Sequence, residues 1–328
     1  MNLAIKYFQV IFAALLLGAA VLSPQPSRAA SCCGGGSAAS LSVPKYARAL
    51  ADLSFEAERY DGYWNHDGDH RPDPPGSDLK QYRLNLGLGY RFVGDWQASI
   101  SLPFVWNDNR YSGVASQTSG LGDTTLSLMY DLLDDNSTWQ VPDVWDLTPG
   151  VSLGLSLLLP TGISPYDDQK SSFDITGRGF YRLDSTLLIE KTIRPWNVSL
   201  ALAYGIYFDR SVNREYGRFV EPYTKGLGNR FSATFSTGYT YVLGTGGDSI
   251  AGTVSYTYLN EGDASYNGTS YNGSGFDKQS LGTAITYSSN DHNWGLRAGW
   301  NHAIQQNGWG QNFPTTDLFS VGVRYVFL

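Results

Sequence analysis

Side chains able to do chemistry are sparse in this 328-residue chain, and they fall in three places. The first is Cys32-Cys33, its two cysteines, which adjoin each other and precede Gly34-Gly35-Gly36. Adjacent cysteines seldom meet disulfide geometry, so no disulfide framework is expected in the body of the chain. Three uses remain open for them. Ala29-Ala30-Ser31-Cys32 is similar to a bacterial lipobox, in which Cys32 would be acylated. A thiolate pair also suits a soft metal, although no His or acid lies beside it, and the plainest use is two free thiols on an exported tail. The second place is His66-Asp67-Gly68-Asp69-His70-Arg71-Pro72-Asp73. There His66, Asp69 and His70 have donor types for a divalent cation, but Gly, Pro and Asp are also what a solvated loop contains, and that reading is preferred. The third is a scatter of charges at alternate positions: Asp52, Glu56, Arg83, Arg91, Asp123, Asp131, Arg182, Asp184, Glu190, Arg230, Arg297 and Arg324. His292 and His302 would each need a serine and an orienting acid for acyl transfer. No G-x-S-x-G elbow, phosphate-cradling loop, zinc spacing or haem-attachment motif is present. The chain is therefore not expected to be an enzyme or to carry a cofactor.

Composition says what must position these groups. Charged residues are 16% of the chain, against about 25% in an ordinary soluble domain. A net charge of −7 argues against nucleic acid as a partner. The one long apolar run, Phe8 to Leu22 behind Lys6, falls short of the ~20 residues a spanning helix needs, and reads as the core of a signal peptide. The expected organisation is a signal peptide over 1–31, a Gly- and Ser-rich tether or plug over 32–48, and one domain over 49–328.

Within that domain, apolar residues recur with period two. Tyr82, Leu84, Leu86, Leu88, Tyr90 and Phe92 alternate with Arg83, Asn85, Gly87, Gly89 and Arg91, and Val198 to Phe208 alternates with Ser199, Ala201, Ala203 and Gly205. About twelve such segments run from 49–60 to 316–328. The connections alternate in length: 93–94, 192–195 and 244–247 are short, whereas 61–78, 107–118, 160–177, 210–228 and 261–277 are long. The connection 133–145 breaks this alternation, and a small structured turn is expected there. A soluble sandwich would set many Lys and Glu on its polar faces, yet here those faces are mainly Gly, Ser, Thr and Asn. The expectation is an all-β, transmembrane, antiparallel up-and-down barrel of about 12 strands, because strands facing lipid must close into a ring. The row Phe319, Val321, Val323, Tyr325, Phe327 is similar to the C-terminal signal read by the barrel assembly machinery, except that Leu328 follows the final Phe. Outer-membrane lipid and that machinery are the expected partners, in the outer membrane of a Gram-negative bacterium.

With the apolar rows outside, Ser152, Gly154, Ser156, Ser232, Thr234 and Ser236 would face a lumen too wide for side chains to fill. The charged set would then line a passage or pair across the wall, as Arg182 and Asp184 could along one row.

Two motifs add a resemblance. Ser119-Gly120-Leu121-Gly122-Asp123-Thr124-Thr125-Leu126-Ser127-Leu128-Met129-Tyr130, at the opening of the fourth segment, and Leu159-Pro160-Thr161-Gly162, at the end of the fifth, resemble the transporter-like barrels of the meta-pathway of phenol degradation. Those barrels are related to channels of the long-chain fatty-acid transporter type. The resemblance implies passage of small, often aromatic or hydrophobic solutes, and transfers no individual binding residue. The expected function is a channel or transporter for such solutes; the competing reading is a structural barrel whose loops or lumen bind a surface or periplasmic partner.

Overall fold

The computed structural model describes residues 41–60, 62–64, 69–169, 173–244, 246–308 and 317–328. Residues 1–40, with the expected signal peptide, Cys32 and Cys33, and His66 lie outside the described residues.

Period-two segments become strands because one face can then meet an apolar surrounding while the other stays polar. Twelve wall strands follow in chain order: Ala49–Tyr60, Asp78–Val93, Trp96–Tyr111, a fourth split into Val114–Leu121 and Thr124–Leu133, Gly150–Leu159, Arg182–Ile193, Trp196–Tyr207, Arg230–Val242, Ser249–Glu261, Phe276–Ser288, Trp294–Gly308 and Asp317–Phe327. Each pairs antiparallel with its sequence neighbours. The first also pairs with the last, from Ala49 opposite Phe327 to Arg59 opposite Asp317, and so closes the ring. The chain is an all-β closed barrel, and closure leaves the first and last strands no unpaired edge. No helix among the described residues is long and apolar enough to cross a membrane.

The outer face is the apolar one. Leu84, Leu86, Leu88, Tyr90, Phe92, Val198, Ile206, Phe235 and Val321 are exposed, while Asp52, Glu56, Arg83 and Asp131 on the opposite rows are buried. Ring pairs mark both ends of the apolar band. At the short-turn end stand Trp96–Tyr130 at 4.8 Å, Trp196–Tyr239 at 4.9 Å and Trp294–Tyr325 at 4.7 Å. At the long-loop end stand Phe104–Trp106 at 4.8 Å and Trp300–Phe319 at 6.4 Å. Two aromatic girdles flanking an apolar band match the interfaces of a bilayer.

The structure corrects three expectations from the sequence. Residues 107–118 are not a long loop: the third strand runs on to Tyr111 and turns at Ser112-Gly113, with φ of 49° and 84°, into Val114. Positive φ at both central positions is the two-residue hairpin geometry, and Ser-Gly is a weak signal for it. Next, the Ser119–Tyr130 motif lies within the fourth strand rather than opening it. That strand breaks at Gly122-Asp123, where the Gly122 amide donates to the Pro103 carbonyl at 2.8 Å. A Cβ on Gly122 would lie 2.9 Å from Pro103 Cγ, so glycine leaves room for the proline ring. Beyond the break, Val114–Leu121 pairs only with the third strand, because the fifth ends at Leu159. Finally, 210–228 and 261–277 are not plain loops. Arg210–Glu215, Arg218–Gly226, Ser265–Tyr266 and Thr269–Ser270 form a four-stranded sheet outside the barrel. The small turn expected in 133–145 is a 3-10 turn at Val144–Leu147, capped by Asp143 and Asp146.

Candidate functional site: the barrel interior

Inward residues of the first three strands are packed into polar networks. Arg83 donates to Glu58 at 2.5 Å, to Gln81 at 2.6 Å and to Glu56 at 3.3 Å, and all four side chains are buried. Gln81 passes the chain on to Asn107 at 2.7 Å. Asn107 in turn donates to the Ile175 carbonyl at 2.9 Å, and Asn109 to the Phe173 carbonyl at 3.0 Å. The connection after the fifth strand therefore folds back against the inside of the wall. Thr176 hydroxyl donates to the Leu121 carbonyl at 2.6 Å, and Ile175 and Phe180 are fully buried.

Asp123 pins that connection. It accepts from the Gly162 amide at 3.1 Å and from the Arg178 amide at 2.7 Å, at the strand break. Asp123→Ala is expected to leave two amides without a partner, at about 1–3 kcal/mol each. Hydrogen–deuterium exchange at Gly162 and Arg178 should quicken, Asp123→Asn should fall between, and unchanged exchange would remove Asp123 as the anchor.

A second network stands at the short-turn end. Arg91 donates to Asp131 at 2.8 Å and to the Val43 carbonyl at 2.6 Å, while the Val43 amide donates to Gln97 Oε1 at 2.6 Å. Ser152 donates to Asp131 at 2.8 Å. Residues 41–47 thus lie against the inner face of the second and third strands. Val43, Ala47, Leu50 and Val326 form a buried apolar cluster with Leu41 against it. Gly89 makes room for this segment, since a Cβ there would lie 2.8 Å from Val43 Cγ2.

The other interior charges are distributed as follows. Asp52 bridges Arg297 at 3.1 Å and Arg324 at 3.3 Å. Arg182 holds Asp184 at 2.7 Å, which is the pairing along one row that the sequence allows. Glu190 is exposed at the short-turn mouth. Arg230 stands half-buried near the long-loop mouth, between Gly205 and Glu261 in register. Glu58, Arg178, Tyr207 and Glu261 belong to these networks too, although the sequence reading did not single them out. Glu58 shares the inward parity of Glu56, and Arg178 that of Arg182 and Asp184, signals that were available, although the sixth strand starts only at Arg182 and leaves Arg178 in the connection before it.

The far side of the interior is different. Ser152, Gly154 and Ser156, then Ser199, Ala201 and Ala203, then Ser232, Thr234 and Ser236, are only half-buried although they face inward. Water-sized space therefore runs beside them, along the fifth, seventh and eighth strands.

Chemistry elsewhere is limited. Asp69 and His70 are exposed, Asp69 pairs with Arg71 at 3.6 Å, and among the described residues no three His, Cys, Asp or Glu side chains converge as a metal-binding set. His302 lies within the eleventh strand, with Asp317 at 2.9 Å. Its ring has no hydroxyl partner among the described residues, so the geometry of a serine hydrolase is not assembled there. In the outer sheet Lys225 stands over the rings of Tyr166 at 5.5 Å and Tyr266 at 5.1 Å. Burial pushes the Tyr223 phenol up, and its hydrogen bond to Glu215 adds to this. An open cleft of about 460 Å³ is lined there by Tyr266, Thr269, Ser270 and Tyr271.

No protein-family model matches the chain, and no curated protein does. Solved structures do. An outer-membrane channel from Pseudomonas putida F1 aligns over 93% of this chain and 100% of its own, with a TM-score of 0.64 at 14% identity. The β domain of the Bordetella autotransporter BrkA aligns over 86% of this chain and 100% of its own, with a TM-score of 0.49 at 12% identity. The toluene transporter TodX of P. putida aligns over 91% of this chain and 95% of its own, with a TM-score of 0.39 at 11% identity. The first shares the barrel fold, and the other two resemble it more loosely.

Proposed function

We propose that this chain is a channel of a Gram-negative outer membrane for passive movement of small solutes, hydrophobic and aromatic ones among them. The observation that carries the reading is the asymmetric interior. Polar networks and two inward segments fill the side of the first four strands, while small residues leave accessible space along the fifth, seventh and eighth. A barrel needed only as an anchor could be filled with side chains, as eight-stranded barrels are. Short turns at one end and long loops at the other give the orientation, with the four-stranded sheet outside the cell. The solute class rests on the likeness of Ser119–Tyr130 and Leu159–Gly162 to the phenol meta-pathway barrels, and on the small, uncharged side chains that line the open side along the fifth, seventh and eighth strands. Selectivity would then come from width and lining dipoles rather than from bond-making chemistry.

Proteoliposomes carrying the folded chain are expected to admit phenol and benzyl alcohol faster than empty liposomes, and to admit disaccharides poorly. Equal rates with and without protein for all of these solutes would overturn the reading. The competing interaction barrel would instead show as a stoichiometric companion in native-membrane preparations.

A further inference from the structure

We infer a docking site for an organic carboxylate at Arg230, inside the long-loop mouth of the barrel. It deepens the channel reading by naming a substrate class, and rests on that reading for its access route. Four cations, Arg178, Arg182, Arg230 and Lys278, share this region with four acids, Asp184 and Glu261, Asp123 near Arg178 and Arg182, and Glu58 near Lys278. All four acids are already engaged, Glu58 by Arg83 at 2.5 Å and Asp123 by the Gly162 and Arg178 amides. Arg178 donates to Glu261 Oε2 at 2.6 Å and also to the Tyr207 hydroxyl. Arg182 donates to both Asp184 oxygens, at 2.7 and 3.0 Å, and to the Tyr207 hydroxyl at 3.0 Å. Asp184 is drawn over Gly205, where a Cβ would meet its carboxylate and would lie 3.0 Å from Arg182 Cδ.

Arg230 is left over. Its neighbours in register are Gly205, which offers no side chain, and Glu261, which is turned to Arg178. Among the described residues no hydrogen bond or ion pair reaches its guanidinium. Its guanidinium is half-buried near Glu261 and Tyr207 but also near the Arg178 and Arg182 guanidiniums, and a mobile anion from the lumen would offset the repulsion among the three. The planar fork of Arg230 matches a carboxylate in a two-point pairing. One further feature favours an organic acid over a bare inorganic anion. Leu259 shares the inward parity of Glu261 and lies opposite Ser232, two residues along from Arg230. The carboxylate would sit on Arg230, with its apolar end along Leu259.

Titration calorimetry of sodium benzoate into the folded, detergent-solubilised chain tests this, alongside swelling of proteoliposomes with benzoate and with neutral benzamide. Heat-modifiable gel migration confirms folding of each variant. The expected result is saturable benzoate binding that weakens about tenfold or more in Arg230→Gln and by less in Arg230→Lys, which keeps the charge and loses the fork. The ratio of benzoate to benzamide influx should fall in Arg230→Gln. Absence of saturable binding in the wild type, equal binding in Arg230→Gln, or equal competition by chloride or inorganic phosphate at matched ionic strength would each overturn the site. Saturable binding without influx of either solute would sink the passage and leave the site standing. Influx of both solutes without saturable binding would sink the site alone.

Discussion

Arg83→Ala is expected to destabilise the barrel by about 3–5 kcal/mol, because it leaves carboxylates buried without their cation. The Arg83, Glu56 and Glu58 side chains are 9%, 7% and 1% exposed, so water cannot take over the pairing. The loss should extend beyond the pair itself. Gln81 also accepts from Arg83 and donates to Asn107, which holds the Ile175 carbonyl, so the inward connection loses support from the wall. Urea unfolding in lipid vesicles, followed by the fluorescence of the nine tryptophans, reads the change. Adding Glu56→Gln and Glu58→Gln to Arg83→Ala should restore much of it by removing the unpaired charge. An exposed pair gives the control: Lys80→Ala breaks the contact with Asp78 at 2.5 Å and should change stability by no more than about 1 kcal/mol. An Arg83→Ala midpoint equal to that of Lys80→Ala would show that the buried cluster does not hold the wall.

The wall was legible in the sequence and the contents of the lumen only partly so, for a physical reason. Alternation is a local property. Leu84, Leu86 and Leu88 declare their face within five residues, and the parity of one row then assigns Arg83 and Arg91 to the other. The same parity extends to Glu58. Nothing local marks the connection after Leu159 as folding inward, since the groups that hold it are far away in the chain. Asn107 reaches Ile175 across 68 residues, and Asp123 reaches Arg178 across 55. Asp123 illustrates the limit well. Its place among the alternating charges marked it as an interior candidate, but whether its carboxylate faced a solute or capped backbone amides depended on where Gly162 and Arg178 came to rest. The outer sheet was missed for a related reason: its strands are two to nine residues long and pair across loops, with too few alternations to be read as a period.

Removing residues 34–46 is expected to raise single-channel conductance several-fold and to let larger sugars through. The segment 41–47 contributes bulk inside the barrel where the wall strands contribute little, since Gly87 and Gly89 stand beneath Leu41 and Val43. It is held by few bonds: the Val43 amide to Gln97, the Val43 carbonyl to Arg91, and the small apolar cluster with Leu50 and Val326. A point substitution should act in the same direction. Gly89→Val brings side-chain atoms into the space of Val43 Cγ2, and one of the two must leave. Displacing the chain segment breaks only those few contacts, whereas moving the wall would break the ladders to the first and third strands, so the segment should yield. Gly89→Val should therefore give a conductance between those of the wild type and the deletion, with its folding confirmed by heat-modifiable migration. Unchanged conductance in both variants would place the narrowest part of the passage at the connection held by Asp123 and Asn107. The deletion would then raise conductance only in combination with Asp123→Ala.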